Sequence, residues 1–462
     1  MEKILATILF CVCCGSAATA QTYTLRQLKD SALRNNIAIR TARYNIDAAT
    51  QQRREAFTKY FPNISAMGAW FNADKGMAKM DIDPSAMISP ELGAALATSL
   101  PAEALAALQT PIGLSMMKNG TIASVTAMQP VFAGGQIVNG NKLAKVGEDV
   151  SRLQLQLSEQ DVERQTEQYY WQLVSLQEKL RTLDAVDTLL ADIHKDVDVA
   201  VRAGVAMRND LLQVQLRQND IESQHLKVQN GINIVRLLLA QYCGLSESEE
   251  LRVKSEEGSA RRPEGESQFA TATPLPEGAS GENSSLSNLP EYQLLQKQVE
   301  ATTLQRKMEI GKNLPTLAVG AGYNYHNLLD NDRTFGMVFA TVSVPISDWW
   351  GGSHAIKRRK IEQQKAIDQL HDNAELLQIR MQNAWNSAVE AQSQFNLAQR
   401  SIEQAEENLR LNRNFYRAGT CKMSDLLEAQ LLYQQTLDSR TDAYANLQIK
   451  LMEYRQATGQ HH

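Results

Sequence analysis

The sequence predicts a mainly α-helical chain with membrane β-strands, built from two copies of one unit that contains a helix, two strands and a long helical hairpin. One phrase recurs 215 residues apart, as RAGVAMRNDLLQVQL at 202–216 and RAGTCKMSDLLEAQL at 417–431. Each copy ends an interval of more than 60 residues that contains no proline. Four further runs of about ten residues alternate between two kinds of side chain, as β-strands do.

The duplication accounts for the whole order of the chain. Residues 1–20 are expected to be a signal peptide, and 245–288, rich in Ser, Glu, Gly and Pro, a polar linker. The first structural repeat is expected over 21–244, with strands near 62–72 and 121–131, an extracellular insertion at 73–119 and a hairpin that turns near 204. The second is expected over 289–460, with strands near 315–326 and 335–345 and a hairpin that turns near 419.

Charge and motifs argue against several classes of protein. The chain has 462 residues and a formal net charge of −5, whereas a nucleic-acid-binding protein needs a concentrated basic surface. Its one dense basic run, KRRK at 357–360, is interpreted as a solvated helix face. The histidines lack the spacing of metal ligands, and no phosphate-binding loop or nucleophile elbow occurs. We therefore expect no enzyme activity, no cofactor, no metal and no nucleic-acid partner.

The N-terminus indicates export. Lys3 precedes an apolar run over 4–14 and the cleavage motif Ala18-Thr19-Ala20. A lipid anchor on one of the cysteines of this segment is an open alternative. Beyond residue 20 no run of 18 apolar residues occurs, and the two remaining cysteines, Cys243 and Cys421, are too few for a disulfide framework.

The strand runs have the length and pattern of membrane strands. In 316–326, Leu317, Val319, Ala321, Tyr323 and Tyr325 alternate with small or polar residues. Transmembrane β-strands need about 9–11 residues with one apolar and one wetter face. The edge of a soluble sandwich is the alternative. Four strands cannot close a barrel, so several chains would have to pool their strands.

The long helical intervals carry a seven-residue repeat that is typical of coiled coils. The first repeat of apolar residues comprises Tyr169, Leu176, Leu183, Leu190 and Val197. The second comprises Met381, Ala388, Phe395, Ile402, Leu409 and Tyr416. Each hairpin is therefore expected to extend away from the strands as part of a helical tube.

This layout resembles the outer-membrane efflux protein (TolC) family. The likeness rests on the duplicated order, on Pro130 and Pro345 at strand ends, on a Gly pair before each long helix, and on the repeated turn. It implies a homotrimer that forms a 12-strand outer-membrane β-barrel continued by a periplasmic coiled-coil α-barrel. It also implies contact with outer-membrane lipid, a periplasmic adaptor, and an inner-membrane efflux pump or ABC transporter. The implied role is a passive exit duct of a tripartite efflux or type I secretion system.

The same resemblance assigns roles to the turns. The adaptor-docking turns would contain Arg202, Gly204, Arg417 and Gly419, and the periplasmic aperture or gate would contain Asp210, Tyr416, Asp425 and Glu428. A simpler interpretation makes Asp210 and Asp425 the first residues of capping boxes, with Gln213 and Glu428 as their partners. Two departures from the family pattern are the insertion at 73–119 and the pair Trp349-Trp350. A periplasmic coiled-coil adaptor or scaffold without a membrane barrel is the alternative function.

Overall fold

The computed structural model describes most of the chain. The described residues are 22–75, 77–83, 86, 88–90, 92, 101, 104, 112–245, 252–253, 286–327, 332–346 and 348–459. The expected signal peptide therefore lies outside them, as do nearly half of the insertion and most of the linker. Among the described helices, none is both long enough and apolar enough to cross a membrane.

The described elements are seven helices and eight strands. The first half contains β1 (Thr22–Tyr23), α1 (Leu25–Asn35), α2 (Ile37–Thr58), β2 (Asn63–Asn72), β3 (Ala78–Ile82), β4 (Ile112–Met116), β5 (Asn119–Ala133), α3 (Gln136–Arg202) and α4 (Arg208–Cys243). The second half contains β6 (Arg252–Val253), α5 (Pro290–Lys312), β7 (Thr316–Asn327), β8 (Asp332–Ser343), α6 (Asp348–Arg417) and α7 (Met423–Thr458). The chain is therefore mostly helical, with one sheet larger than a strand pair among the described residues.

The chain divides into two compact units. One comprises Met1–Ala49, Gly147–Val299 and Lys365–His462, and its described part holds most of the two hairpins. The other comprises Thr50–Val146 and Glu300–Gln364, and it holds the main sheet. The boundary between the units at Val146 and Gly147 lies inside α3, and the boundary at Gln364 and Lys365 lies inside α6.

The main sheet takes strands from both repeats. Its order is β2-β5-β7-β8, and all its pairs are antiparallel. Opposite residues in an antiparallel pair lie on the same face, so Ile64, Ala127, Ala321 and Val338 share one face. We call this the apolar face. Eight large hydrophobic side chains on this face are exposed: Ile64, Trp70, Val125, Leu317, Val319, Tyr323, Val338 and Val342.

The opposite face of the sheet is only partly small and polar. Thr126 and Asn324 lie on it, but so does Phe339. A Cβ added to Gly320 would lie 2.5 Å from the Phe339 ring, so this ring covers a position where only glycine fits. The alternation of β7 alone did not reveal the aromatic side chains that β8 contributes.

A proline and a glycine pair that were expected to mark the ends of elements lie inside them. Pro130 lies inside β5, at a register shift between Pro130 and Phe132, rather than at the end of the strand. A proline lacks the N–H that a continuous ladder needs, so it fits at such an irregularity. The pair Gly351–Gly352 lies inside α6, and a Cβ at Gly352 would clash with Asn313 Oδ1 at 1.9 Å.

The helical segment before β2 is broken at Asn36. Its backbone is extended there, with φ −62° and ψ 136°, and its N–H still donates to Ala32 O at 2.8 Å. Its Oδ1 accepts from the N–H of Ala38 at 2.8 Å, so it caps the start of α2 as well. The side-chain amide also donates to Tyr242 O at 3.0 Å, which fixes this break against the end of α4.

The hairpins pack through two buried clusters. The first surrounds Tyr170, Leu173 and Leu239 and includes Leu28 of α1. The second lies nearer the turns and unites α3, α4, α6 and α7; it contains Leu190, Val197, Val214, Leu409, Met423 and Leu426 among others. Leu183, Leu190 and Val197 of the expected heptad are buried, as are Ala388, Phe395 and Leu409 of the other. Each seam therefore packs between helices.

Candidate functional site at the hairpin turns

Both hairpins turn through the same backbone motif. Gly204 has φ +75° and Gly419 has φ +71°. The N–H of Gly204 donates to Val201 O at 3.0 Å, and the N–H of Val205 donates to Ala200 O at 3.0 Å. In the second turn the matching bonds, from the N–H groups of Gly419 and Thr420, are 3.0 and 2.9 Å long. These paired bonds are a Schellman motif, which satisfies the last carbonyls of a helix.

The need for glycine at these turns is conformational. A Cβ added to Gly204 or Gly419 would meet no atom of the described residues within 4 Å. The left-handed backbone is the only local penalty that an L-residue meets there. Any role of these glycines in contacting a partner is therefore separable from their role in the turn.

The two turn carboxylates cap the returning helices, but in a different register from the expected one. Asp210 Oδ2 accepts from the N–H of Met207 at 3.1 Å, and Asp425 Oδ2 accepts from the N–H of Lys422 at 3.3 Å. Met207 and Lys422 are the N-caps, and neither side chain makes a capping hydrogen bond. Each Asp is thus the third helical residue and reaches back, so Gln213 and Glu428 are not the capping partners.

The surfaces of the two turns differ although their backbones match. Val205 and Met207 expose 81% and 75% of their surface. Their counterparts in the second turn are Thr420 and Lys422, both exposed. The first turn therefore presents two unburied apolar side chains where the second presents polar ones. The sequence shows this difference in residue type, but only the structure shows that Val205 and Met207 are exposed and not packed against other helices.

Tyr416 of the second hairpin lies close to Asp210 of the first. Burial, then the negative charge of Asp210, and then Cys421 raise the pKa of the Tyr416 phenol. Tyr416 also packs against the cluster near the turns. The structure thus brings together two expected gate residues from different repeats.

The matched arginines make different ion pairs. Arg202 contacts Asp198 of its own helix at 2.7 Å. Arg417 instead contacts Asp196 of the first hairpin at 3.0 Å, and both side chains are about half exposed. Arg417 therefore joins the two hairpin ends, whereas Arg202 does not.

The other expected gate residues lie in the first turns of α7. Asp425 is exposed, and its Oδ1 accepts from Ser424 Oγ at 3.1 Å. Glu428 is exposed one turn further on. Within the described part of the chain, no ion pair involves Glu428, so its charge is directed to solvent.

A buried polar network between α4 and α7 was not expected from the sequence. Arg217 donates through Nε to Gln430 Oε1 at 3.0 Å and through Nη2 to Gln434 Oε1 at 2.7 Å, and it pairs with Asp220. Gln434 Nε2 donates to Gln224 Oε1 at 2.9 Å. Gln430 and Gln434 are almost completely buried, at 0% and 3% exposure. Polar residues are normally assigned to the outside of a helix, so the sequence offered no signal for this network.

The described residues provide no metal centre: no group of three or more His, Cys, Asp or Glu side chains among them could hold an ion. The candidate site is therefore a pair of structured turns with apolar, acidic and basic side chains on their surfaces. Such a site can bind a protein partner or present charge to a passage.

Comparison with known proteins points to one family. Residues 283–460 match the model of the outer membrane efflux protein family. This match covers about two fifths of the chain, the region of the expected second repeat. No match was found among curated protein sequences. The members of this family are outer-membrane efflux proteins.

The whole chain resembles solved outer-membrane proteins in structure. The outer membrane protein VceC from Vibrio cholerae is 14% identical with a TM-score of 0.71, over 94% of this chain and 96% of that one. The Campylobacter jejuni CmeC outer membrane channel is 13% identical with a TM-score of 0.71, over 94% and 85%. The open state of the Neisseria gonorrhoeae MtrE outer membrane channel is 14% identical with a TM-score of 0.69, over 94% and 88%. The chain therefore carries an outer membrane efflux protein domain over 283–460 and has the fold of TolC-family channels.

Proposed function

We propose that this chain is the exit duct of a tripartite efflux or type I secretion system. Three copies pool their four-stranded sheets into a 12-strand barrel in the outer membrane. Their helical hairpins form a tube in the periplasm. The tube docks to a periplasmic adaptor and an inner-membrane pump or ABC transporter, and then conducts substrate passively.

The exposed apolar face of the sheet carries this proposal. Val338 exposes 87% of its surface, and Ile64 and Trp70 each expose 70%. Burying apolar surface is worth about 25 cal/mol per Å², so a soluble protein would cover such a face. All four strands contribute to it in register. The hydrocarbon core of a membrane is the environment in which this apolar face would be stable.

The open edges of the sheet support assembly from several copies. β2 and β8 lie at the edges of the sheet order. An unpaired edge in lipid leaves backbone N–H and C=O groups without partners, at several kcal/mol for each group. Pairing of β8 with β2 of the next copy would satisfy both edges and close the sheet.

The turns are the proposed docking surface. Arg202, Gly204, Arg417 and Gly419 lie at the ends of the hairpins, and Val205 adds exposed apolar surface to the first turn. An apolar patch with charged neighbours has the composition of a protein interface. The difference between the two turns means that an adaptor would meet two distinct contact surfaces on each copy.

Asp210, Tyr416, Asp425 and Glu428 are the proposed gate. The charge of Asp210, on the first hairpin of a copy, acts on Tyr416 of the second hairpin. Asp425 and Glu428 are exposed on α7, and three copies would multiply their charge around one aperture. Because Asp425 is also a capping residue, its removal changes both the charge and the start of the helix.

Membrane fractionation with measurement of the oligomeric state tests this function. A detergent-dependent trimer in the outer-membrane fraction is the expected result. A soluble periplasmic protein would contradict the duct and favour the adaptor or scaffold.

A further inference from the structure

The unit that contains the main sheet also contains a basic cleft between α2 and α3. Its volume is about 380 Å³, and it is open to solvent on one side. Its lining consists of Arg53, Arg54, Phe57, Asn141 and Lys145. Three of these five side chains are cationic, and the other two are neutral.

The cleft lies in a local concentration of positive charge. The segments 50–60 and 136–146, which the structure describes completely, carry five basic residues and one acidic residue, Glu55. The whole chain has a net charge of −5. The positive charge here is therefore a local feature that the composition of the chain does not predict. A guanidinium binds two phosphate oxygens at once, which makes arginine pairs well suited to phosphate groups.

The walls of the cleft are fixed to each other. Asn141 Nδ2 donates to Ala56 O of α2 at 2.9 Å and to Ile137 O of α3 at 2.9 Å. Phe57 packs edge-to-face with Tyr60 and Phe61, with ring centroids 5.6 Å apart in both pairs. The cations therefore project from a rigid pair of helices beside an aromatic cluster.

The cleft lies close to the end of the membrane strands. α2 ends at Thr58, and β2 begins at Asn63. From Arg54 to Thr58 the helix rises about 6 Å. A bilayer of about 40–45 Å has a hydrocarbon core of about 30 Å, so each headgroup layer is about 5–8 Å thick. Aromatic residues at a strand end mark the membrane interface, and cations one helical turn beyond it reach the phosphate layer.

We propose that this cleft binds the phosphate of an anionic phospholipid in the periplasmic leaflet of the outer membrane. The inference rests on the proposed function for the orientation of the sheet in the membrane. Arg53, Arg54 and Lys145 contact the phosphate, and Phe57 contacts the glycerol and the start of an acyl chain. Each copy of the chain thus carries its own lipid site, at the junction of helices and strands.

The test is lipid binding to the full-length protein in neutral detergent. Short-chain phosphatidylglycerol is titrated, and bound lipid is counted by native mass spectrometry. The expected result for the wild type is saturable binding. Replacing Arg53, Arg54 and Lys145 together by Gln should weaken binding about 100-fold, at roughly fivefold for each cation removed. The single variant Lys145→Gln, expected to lose about fivefold, keeps the test usable where the triple variant fails to fold.

A charge-matched control removes three exposed cations of the other unit, Arg26, Lys195 and Lys227, each replaced by Gln. It should bind phosphatidylglycerol as the wild type does. The proposal is overturned by the absence of saturable binding to the wild type, by equal binding of the wild type and the folded cleft variants, or by an equal loss in the control. Displacement of the lipid by an equal concentration of inorganic phosphate would also overturn it, since the site would then take a free anion.

A second measurement separates this inference from the proposed function. The wild type is tested for channels in planar bilayers of neutral phosphatidylcholine. Channels without saturable phosphatidylglycerol binding refute the lipid site alone. A protein that neither inserts nor conducts refutes the proposed function.

Discussion

The glycines of the chain provide a set of identical substitutions with opposite expected effects. Gly204→Ala and Gly419→Ala place a Cβ on a left-handed backbone in open space. Gly147→Ala places it in open space on the helical backbone of α3. Gly134→Ala places it on a left-handed backbone and 2.1 Å from Gly311 O.

The magnitudes follow from the backbone and the space at each position. The two turn variants should lose about 1–2 kcal/mol of local stability, the cost of a left-handed L-residue. Gly147→Ala should gain about 0.5–1 kcal/mol, because glycine is a poor helix residue. Gly134→Ala should lose more than either turn variant, since the clash adds to the backbone penalty.

Native-state amide hydrogen exchange measures the free energy of local opening at each position. This assay suits a chain of two compact units, for which one global unfolding energy is poorly defined. Equal stability of the turn variants and the wild type would refute the reasoning about the turns. Destabilisation by Gly147→Ala would show that open space around an added Cβ does not predict whether Ala is tolerated.

The same turns permit a separate test of docking. Both glycines are exposed, and no described atom lies within 4 Å of the added Cβ, so Gly204→Leu or Gly419→Leu should cost about as much stability as the Ala variants. A docked adaptor would distinguish them: the Leu variants should abolish export, and the Ala variants should reduce it only modestly. Equal export by Ala and Leu variants that both form trimers would contradict docking at the glycines.

Three further predictions concern charges and buried polar groups. The double variant Asp425→Ala with Glu428→Ala should raise single-channel conductance in planar bilayers, because it removes charge from the proposed aperture; unchanged conductance would exclude a gating role. Arg417→Gln removes an exposed ion pair between the hairpins that is worth less than about 1 kcal/mol, so it should speed hydrogen exchange at both hairpin ends. The matched control Arg202→Gln breaks a pair within one helix and should affect only the first hairpin. Gln430→Leu leaves Nε of Arg217 without its acceptor, so the free energy of local opening at the α4–α7 contact, measured by hydrogen exchange, should fall by about 1–3 kcal/mol. An unchanged or increased local stability would show that the buried network does not stabilise the hairpins.

Elements with strong local signals could be predicted from the sequence. The period of two in 316–326 indicated a strand, and β7 covers Thr316–Asn327. The repeated glycine indicated a turn because few other residues accept a positive φ. Asn36 carried a readable signal that the prediction overlooked, since Asn is a strong helix cap.

Features that depend on neighbouring elements could not be predicted. Arg202 and Arg417 occupy matched positions, yet only packing of the hairpins decides that Arg417 reaches Asp196. The burial of Gln430 depends on Arg217 of another helix. The gate residues were proposed from a family resemblance, and only packing of the hairpins decides that the charge of Asp210 acts on Tyr416. Their position around an aperture remains a proposal that the conductance measurements test.

Single-channel recording of the purified protein in planar bilayers tests the central claim most directly. A trimeric duct predicts stable insertion and unitary currents from the trimer fraction, with no nucleotide or partner present. The proposed membrane assembly is inferred from the exposed apolar face and the open edges of the sheet. A purified trimer that never inserts, or that inserts without conducting even when both Asp425 and Glu428 are replaced by Ala, would contradict the account.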